Sequence, residues 1–412
     1  MILQGEKPEA FISQVKTLRK YNYDRLTKNK TANLYASLLW RLFDREGNFR
    51  SRATEQLFFD ANCAFRIETG RYRDLFRSGP ASGTIETLLG SARTNDETWL
   101  LFRRSGDARI LLGAMRDDGT VIPCVETPLK NGEFDGNDDV IARRPAPFTV
   151  SKTLAVIGDK RGNLHCYDRT TQQWTQIPEF LPVPPVSLAV ASDRIWGLGG
   201  GNLHKGEFCT LVSCAPDGSG RKIHFSTARV EPQNELDHLK IREVNSLLEY
   251  ENMLLFSVTT PENTMVYAVS PVSGEFTRLV RFPFSGAGID MLWRQRDEVY
   301  CFTMAHGERI YRIDPEQKRA QWLFNQSGER YRFDDPAARP VVLKGGFSQM
   351  NRPWCFRGKL LFSANCTPGV IDLASPERSP LLWLPACSAL FERPDGVLFL
   401  GYQRYFIVKE KI

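Results

Sequence analysis

One pattern returns six times in this chain and limits what it can fold into. It is an apolar strand, a turn rich in Asp, Pro, Gly or Ser, and a second strand. The copies are "RILLGAMRDDGTVIPCV" from Arg109, "NLHCYDRTTQQWTQIP" from Asn163, "EFCTLVSCAPDGSGRKIHF" from Glu207, "MVYAVSPVSGEFTRLVRF" from Met265, "RIYRIDPEQKRAQWLF" from Arg309 and "GVIDLASPERSPLLWLP" from Gly369. The turns have a mechanism: Pro presets φ, Gly supplies positive φ, and Asp and Ser bond their own backbone. Each copy is preceded by a different hairpin, such as "PFTVSKTLAVIG", "VSLAVASDRIWGLGG" or "VNSLLEYENMLLFSV". The second strand of that leading hairpin is almost continuously apolar, as a strand buried on both faces must be.

A seventh leading hairpin, "SALFERPDGVLFLGY" from Ser388, is followed by a single further strand, "RYFIVKE". Six four-strand units and one three-strand unit predict an all-β fold, a seven-bladed β-propeller over residues 63–412. Its last blade is completed by a strand from the front of the chain, within "CAFRIETGRYRDLF" at 63–76. Closure of that kind leaves only short, protected edges. The turn-to-turn spacing runs from roughly 43 to 61 residues, near the span expected of one blade with some long connections. Residues 1–62 read as an N-terminal helical extension. Phe11, Val15 and Leu18, and then Leu34, Leu38, Leu39, Leu42 and Phe43 after Thr31, recur at helical spacing.

The segment "AVIGDKRGNLHCYDRTTQQWTQIP" resembles a kelch repeat in its strand ending in Gly, its Tyr-Asp strand end and its Trp on the outer strand. "RIWGLGGG" resembles the kelch double glycine, at Gly199 and Gly200. The first segment lacks the second Gly and the second lacks the Tyr and Trp, so two units are kelch-like and the rest resemble propellers in general. The resemblance implies a fold over residues 85–410 and no particular activity, because propellers host enzymes, sensors and scaffolds alike.

Composition narrows the setting. No apolar run approaches the roughly 20 residues that span a bilayer, and the N-terminus lacks a signal-peptide pattern. The expectation is a soluble, cytoplasmic protein. The nine cysteines are scattered without a CxxC pair, and Cys166, Cys209 and Cys301 fall in apolar strands. They read as buried reduced thiols, with disulfides or zinc as the lesser alternative. Residues 1–78 hold 15 Lys+Arg against 9 Asp+Glu, an excess equal to the whole net charge of +6. These charges alternate without interleaved aromatics, so a solvated helical face is expected rather than a nucleic-acid arm.

Three connections between units are long and polar: residues 127–147, 228–243 and 325–345. In a propeller they rise from the face that also carries the loops joining each second strand to the third. Long loops on a rigid scaffold are where binding residues tend to sit. "DGNDD" places Asp135, Asn137 and Asp139 at calcium-loop spacing, but Val140 and Ala146 stand where that loop needs Gly and Glu, so an acidic turn is expected. Arg143 and Arg144 beside it suit a local ion pair.

In "NELDHLKIRE", Glu235, Asp237 and His238 stand together with Lys240 and Arg242, and a His beside carboxylates is a common acid–base grouping. In "ERYRFDD", Arg330, Tyr331, Arg332 and Asp334 mix aromatic and charged groups, as recognition surfaces do. His204 and His306 fall in second-to-third-strand loops. His165 lies within a strand and reads as a satisfied strand residue. No phosphate loop, GxSxG or HExxH occurs. No metal or cofactor is expected.

Two functions remain. The first is a non-catalytic scaffold that holds a protein or small polar ligand on the long-loop face through His204, Glu235, Asp237, His238, His306, Arg330, Tyr331, Arg332 and Asp334. The second is a carbohydrate-active lyase or hydrolase at the mouth of the central channel.

Overall fold

Turn chemistry and strand patterning are realised hairpin by hairpin. The computed structural model describes residues 65–76, 85–104, 109–130, 132–133, 146–200, 208–282, 291–295, 297–303, 309–325, 341–342, 350–356, 359–364, 367–372, 387–401 and 404–410. These residues form strands with almost no helix, and every paired strand runs antiparallel to its sequence neighbour. The predicted helices of residues 7–45 lie outside the described residues. The chain divides into two units, Phe76–Pro340 and, as the other, Met1–Leu75 with Val341–Ile412.

The first unit holds five sheets, and within it each runs through four consecutive strands. Sheet I is Ile85–Thr94, Glu97–Arg104, Arg109–Arg116 and Val121–Lys130. Sheet II is Phe148–Val150, Leu154–Gly158, Leu164–Asp168 and Gln173–Ile177. Sheet III is Pro185–Ala191, Arg194–Gly199, Thr210–Cys214 and Lys222–Ser226. Sheet IV is Glu243–Tyr250, Met253–Thr259, Thr264–Val269 and Phe276–Phe282. Sheet V is Met291–Gln295, Glu298–Thr303, Arg309–Asp314 and Arg319–Asn325. The strands thus take in residues 127–130, Glu243, Asn325 and Val341–Val342, which the sequence had assigned to long connections.

Successive sheets pack face to face. Trp99, Leu101 and Leu112 of sheet I meet Ala155, Ile157 and Tyr167 of sheet II. Val156, Leu164 and Cys166 of sheet II meet Ile195, Val212 and Cys214 of sheet III. Trp196, Leu198, Leu211 and Phe225 on the other face of sheet III meet Val244, Phe256 and Tyr267 of sheet IV. Leu255, Val266 and Val280 of sheet IV meet Leu292, Cys301 and Tyr311 of sheet V. The inner sheets are therefore buried on both faces, which is why their second strands tolerate no polar alternation. Each fully buried Leu or Phe contributes about 2 kcal/mol. Tyr167 and Trp174, which carry the kelch resemblance, touch across the outer strand pair with ring centroids 5.0 Å apart.

The first strands of successive sheets lie side by side, and they are clipped by a device the sequence did not reveal. Those of sheets I, III and IV carry a β-bulge. In sheets III and IV the serine at the bulge bonds the next sheet. Ser187 Oγ accepts from the Leu247 amide at 2.9 Å, and Ser246 Oγ accepts from the Leu292 amide at 2.9 Å. At one end of the strands, Arg169 in the last turn of sheet II ion-pairs with buried Glu97 of sheet I and stacks 4.7 Å from the Trp99 ring. At the other end, the turn Asp159–Asn163 bonds the connections on both sides of it. Lys160 donates its amide to the Glu133 carbonyl at 2.8 Å, and Leu181 donates to Gly162 at 2.9 Å. Gly162 has φ +83°, and a Cβ there would run into the Leu181 carbonyl, so only glycine fits.

The second unit contributes two sheets among the described residues. One is Met350–Phe356, Lys359–Ala364 and Thr367–Asp372. The other is Cys387–Arg393, Gly396–Gly401 and Arg404–Glu410, completed by Phe65–Arg71 from the front of the chain. Phe65 pairs with Glu410 and Arg71 with Arg404, without a register shift. Lys409 bridges Glu68 at 3.0 Å and Asp395 at 2.8 Å. The expected completing strand is thus present but shorter than 63–76: at Tyr72 the chain turns into the short helix Tyr72–Leu75, and the Tyr72 ring packs 5.9 Å from Tyr405. Among the described residues no helix is long and apolar enough to cross a membrane.

Candidate functional site

The connection from sheet III to sheet IV, residues 227–242, is the long connection whose side chains can be followed throughout. Asn234 begins a short 3-10 helix, Glu235–His238, and its Oδ1 accepts from the Leu236 and Asp237 amides at 3.0 and 3.2 Å. An Asn in this position satisfies helix-end amides that have no partner within the helix. Leu236 and Ile241 are buried in the core between sheets III and IV, so the connection is nailed down at two apolar points.

Asp237 is the polar nail. Its side chain is wholly buried. It accepts from the Ser226 amide at 2.7 Å, from the Gln233 amide at 2.9 Å and from Arg229 Nη1 at 2.9 Å. Burial alone would raise the Asp237 carboxyl; the Gln233 and Ser226 amides and the Arg229 guanidinium outweigh it and hold the group below its ordinary value. Arg229 also donates to the carbonyls of Ile223 and His224, and Asn234 Nδ2 donates to His224 at 2.8 Å. These side chains lie along the outer edge of sheet III and occupy its outward backbone groups.

The grouping Glu235, Asp237 and His238 therefore splits. Asp237 points into the protein and is committed to structural bonds. Glu235, His238, Lys240 and Arg242 are exposed. Glu235 and Arg278 both reach the hydroxyl of Tyr267 on sheet IV, which burial first and then the Glu235 charge push up to about 12. Tyr267 is 1% exposed, so this phenol is not placed to meet a substrate. Val230 is 97% exposed, at the crest of the same connection.

Beneath the connection lies a histidine the sequence reading passed over. His224 stacks on Trp196 with ring centroids 4.3 Å apart. Its Nε2 is 2.9 Å from Ser213 Oγ, which accepts from Arg194 Nε at 3.1 Å. A neutral imidazole can accept the Ser213 proton at Nε2. Burial, then Lys222, Arg194 and Arg229, lower His224 to about 4. The pair has the atoms of a nucleophile and its base, yet Ser213 is fully buried. Nothing in "RKIHF" distinguishes this His from an ordinary strand residue, because its partners come from other strands.

His165 is buried, with Nε2 3.2 Å from Asp159 Oδ2, and Asp159 also accepts from the Arg161 and Asn163 amides. It is a strand residue, as expected, but it is satisfied at one nitrogen only: Nδ1 is buried without a hydrogen-bond partner. Cys124, Cys166, Cys209, Cys214 and Cys301 are buried free thiols, and burial pushes Cys166 up to about 12. Among the described residues no three His, Cys, Asp or Glu gather as metal ligands would. His204, His306, Arg330, Tyr331, Arg332 and Asp334 lie outside the described residues, as do Asp135, Asn137, Asp139, Arg143 and Arg144.

No protein-family model matches the sequence, and no curated protein matches it either. Solved structures resemble the chain at low identity. The computationally designed Ika8 protein is 12% identical, with 80% of this chain and 98% of that one covered and a TM-score of 0.46. YCF48 bound to D1 peptide is 11% identical, with 84% and 97% covered and a TM-score of 0.46. Sqt1 from Saccharomyces cerevisiae is 9% identical, with 77% and 80% covered and a TM-score of 0.45.

Proposed function

We propose that the repeated sheets close into a seven-bladed propeller and that this protein is a binding scaffold, without chemistry of its own, whose long inter-sheet connections hold a protein partner. The observation that supports this is the construction of residues 227–242. Leu236, Ile241 and the triply bonded Asp237 fix the backbone, while Glu235, His238 and Lys240 stand in solvent. A loop held in one conformation before contact loses little entropy on binding, which is what a recognition element requires. Catalysis at the same place would need the carboxylate and imidazole to converge, and Asp237 is turned away from His238. His204, His306, Arg330, Tyr331, Arg332 and Asp334 extend the same reading to the neighbouring loops.

The test compares the wild-type chain with the triple variant Glu235→Ala, His238→Ala, Lys240→Ala as bait in extract from the source cell. Both should melt within a few degrees of each other. The variant should lose a partner that the wild type retains. Identical retained proteins on both baits would overturn the assignment.

A further inference from the structure

A sheet that ends in a free edge invites another strand, and proteins block such edges with charge, Pro, bulges or covering segments. In Phe76–Pro340 the fourth strands of four of the five sheets carry a block. In sheet I, Val121–Lys130 contains Pro123 and pairs with two register shifts. In sheet III, the ladder is bulged and Arg229, Asn234 and Asp237 occupy the edge. In sheet IV, the ladder is bulged and Arg278 and Arg281 are exposed along it. In sheet V, the ladder is bulged and begins at exposed Arg319.

Sheet II differs. Its outer strand, Gln173–Ile177, pairs residue for residue with Leu164–Asp168 and has no bulge. It contains no charge and no Pro, and Gln173, Thr175 and Gln176 are exposed. Among the described residues nothing pairs with it from outside.

We propose that this edge is a self-association surface, on which the outer strand of sheet II pairs antiparallel with the same strand of a second copy of this chain. The chemistry favours self over a foreign strand. A two-fold axis sets each edge against itself, so any charge would be repeated across it and repel. This edge alone among the five has no charge to repeat. Centred on Thr175, the pairing sets Thr175 against Thr175, Trp174 against Gln176 and Gln173 against Ile177. Thr–Thr pairs are favourable across antiparallel strands. Trp174, half-buried against Tyr167, offers its remaining ring surface to the incoming strand. Five residues a side fall short of the roughly 1,200 Å² of a stable interface, so the dimer is weak and concentration-dependent.

Sedimentation of the full chain between about 1 and about 200 µM should show a dimer growing in across that range, as a small interface predicts. Amide exchange at Trp174 and Gln176, whose amides face outward, should slow with it. Gln176→Pro removes an outward edge amide and should leave monomer throughout. Thr175→Lys sets two ammonium groups face to face; it should also leave monomer at low salt and recover part of the dimer at high salt, a response misfolding does not give. A wild-type chain that stays monomeric overturns the proposal, as does a dimer unaffected by both variants. Edge protection gained only when an unrelated extended peptide is added overturns it too and identifies the occupant as foreign.

Discussion

Sheets II and III are neighbours with the same four-strand plan, and their outer edges are treated in opposite ways. After sheet III the chain continues for sixteen residues before sheet IV and spends its polar side chains along the edge it has just left. After sheet II the chain crosses to sheet III in seven residues and goes inward, burying Phe180 and Leu181 in the core between the two sheets. One connection guards an edge and presents a loop; the other only packs. The difference lies in where the connection sends its side chains, since the strands that precede it are equally short.

The sharpest way to break this contrast is at Asp237. Asp237→Ala leaves the Ser226 and Gln233 amides and the Arg229 guanidinium without their acceptor. Removing one partner of a buried ion pair costs about 3–5 kcal/mol, and urea unfolding measures it. The variant should also expose the sheet III edge, so exchange at Ser226 should rise to match that of an open strand. Asp237→Asn keeps one acceptor oxygen and should recover part of the loss. Equal stability of wild type and alanine variant would mean the connection is not pinned there.

A smaller effect distinguishes the two sheets by pH. His224 of sheet III titrates at about 4 when folded against an ordinary 6.5. The folded form resists the proton, so the unfolded chain binds more protons between those values. The stability His224 provides is complete above pH 6.5 and is lost as pH falls toward 4, with a limiting slope of about 1.4 kcal/mol per pH unit. The positive charges of Lys222, Arg194 and Arg229 add to burial in lowering the ring. Asp237, held below 3.8, contributes its loss only at more acid pH. His224→Gln keeps an acceptor for Ser213 and should flatten the stability profile between pH 6.5 and 4. A profile unchanged by the substitution would contradict the burial argument.

What could be read in advance follows from range. Asp168 bonding the Thr170 and Thr171 amides, or Gly162 at positive φ, is local chemistry that residue type announces. The strand Phe65–Arg71 was legible by counting, because a three-strand unit at the end of a repeat leaves a vacancy that an N-terminal strand fits. The serine clip was not: Ser187 and Leu247 are sixty residues apart, and a serine beside an apolar residue carries no sign of its partner. Asp237 and His238 are adjacent in sequence, yet the 3-10 turn sends one inward and the other outward. Only the position of Asn234, a capping residue ahead of the turn, hinted that the segment was ordered. His224 was missed for the same reason as the clip, since Trp196 and Ser213 reach it from other strands.

The smallest effect tests whether the outward side of that turn is free of structural duty. Glu235 touches Tyr267 through its carboxylate, but the carboxylate is solvated and the phenol retains Arg278. His238 is exposed, and residues of this kind usually change stability by less than about 0.5 kcal/mol. Glu235→Ala and His238→Ala should therefore leave urea midpoints almost unchanged, singly and together, while Asp237→Ala between them unfolds early. Because Glu235 raises Tyr267, its removal should let the phenol titrate slightly lower, which ultraviolet difference absorbance detects in alkali short of unfolding. A loss approaching that of Asp237→Ala would show that the outward face is also structural, and a recognition loop built on these side chains would have no freedom to adapt to a partner.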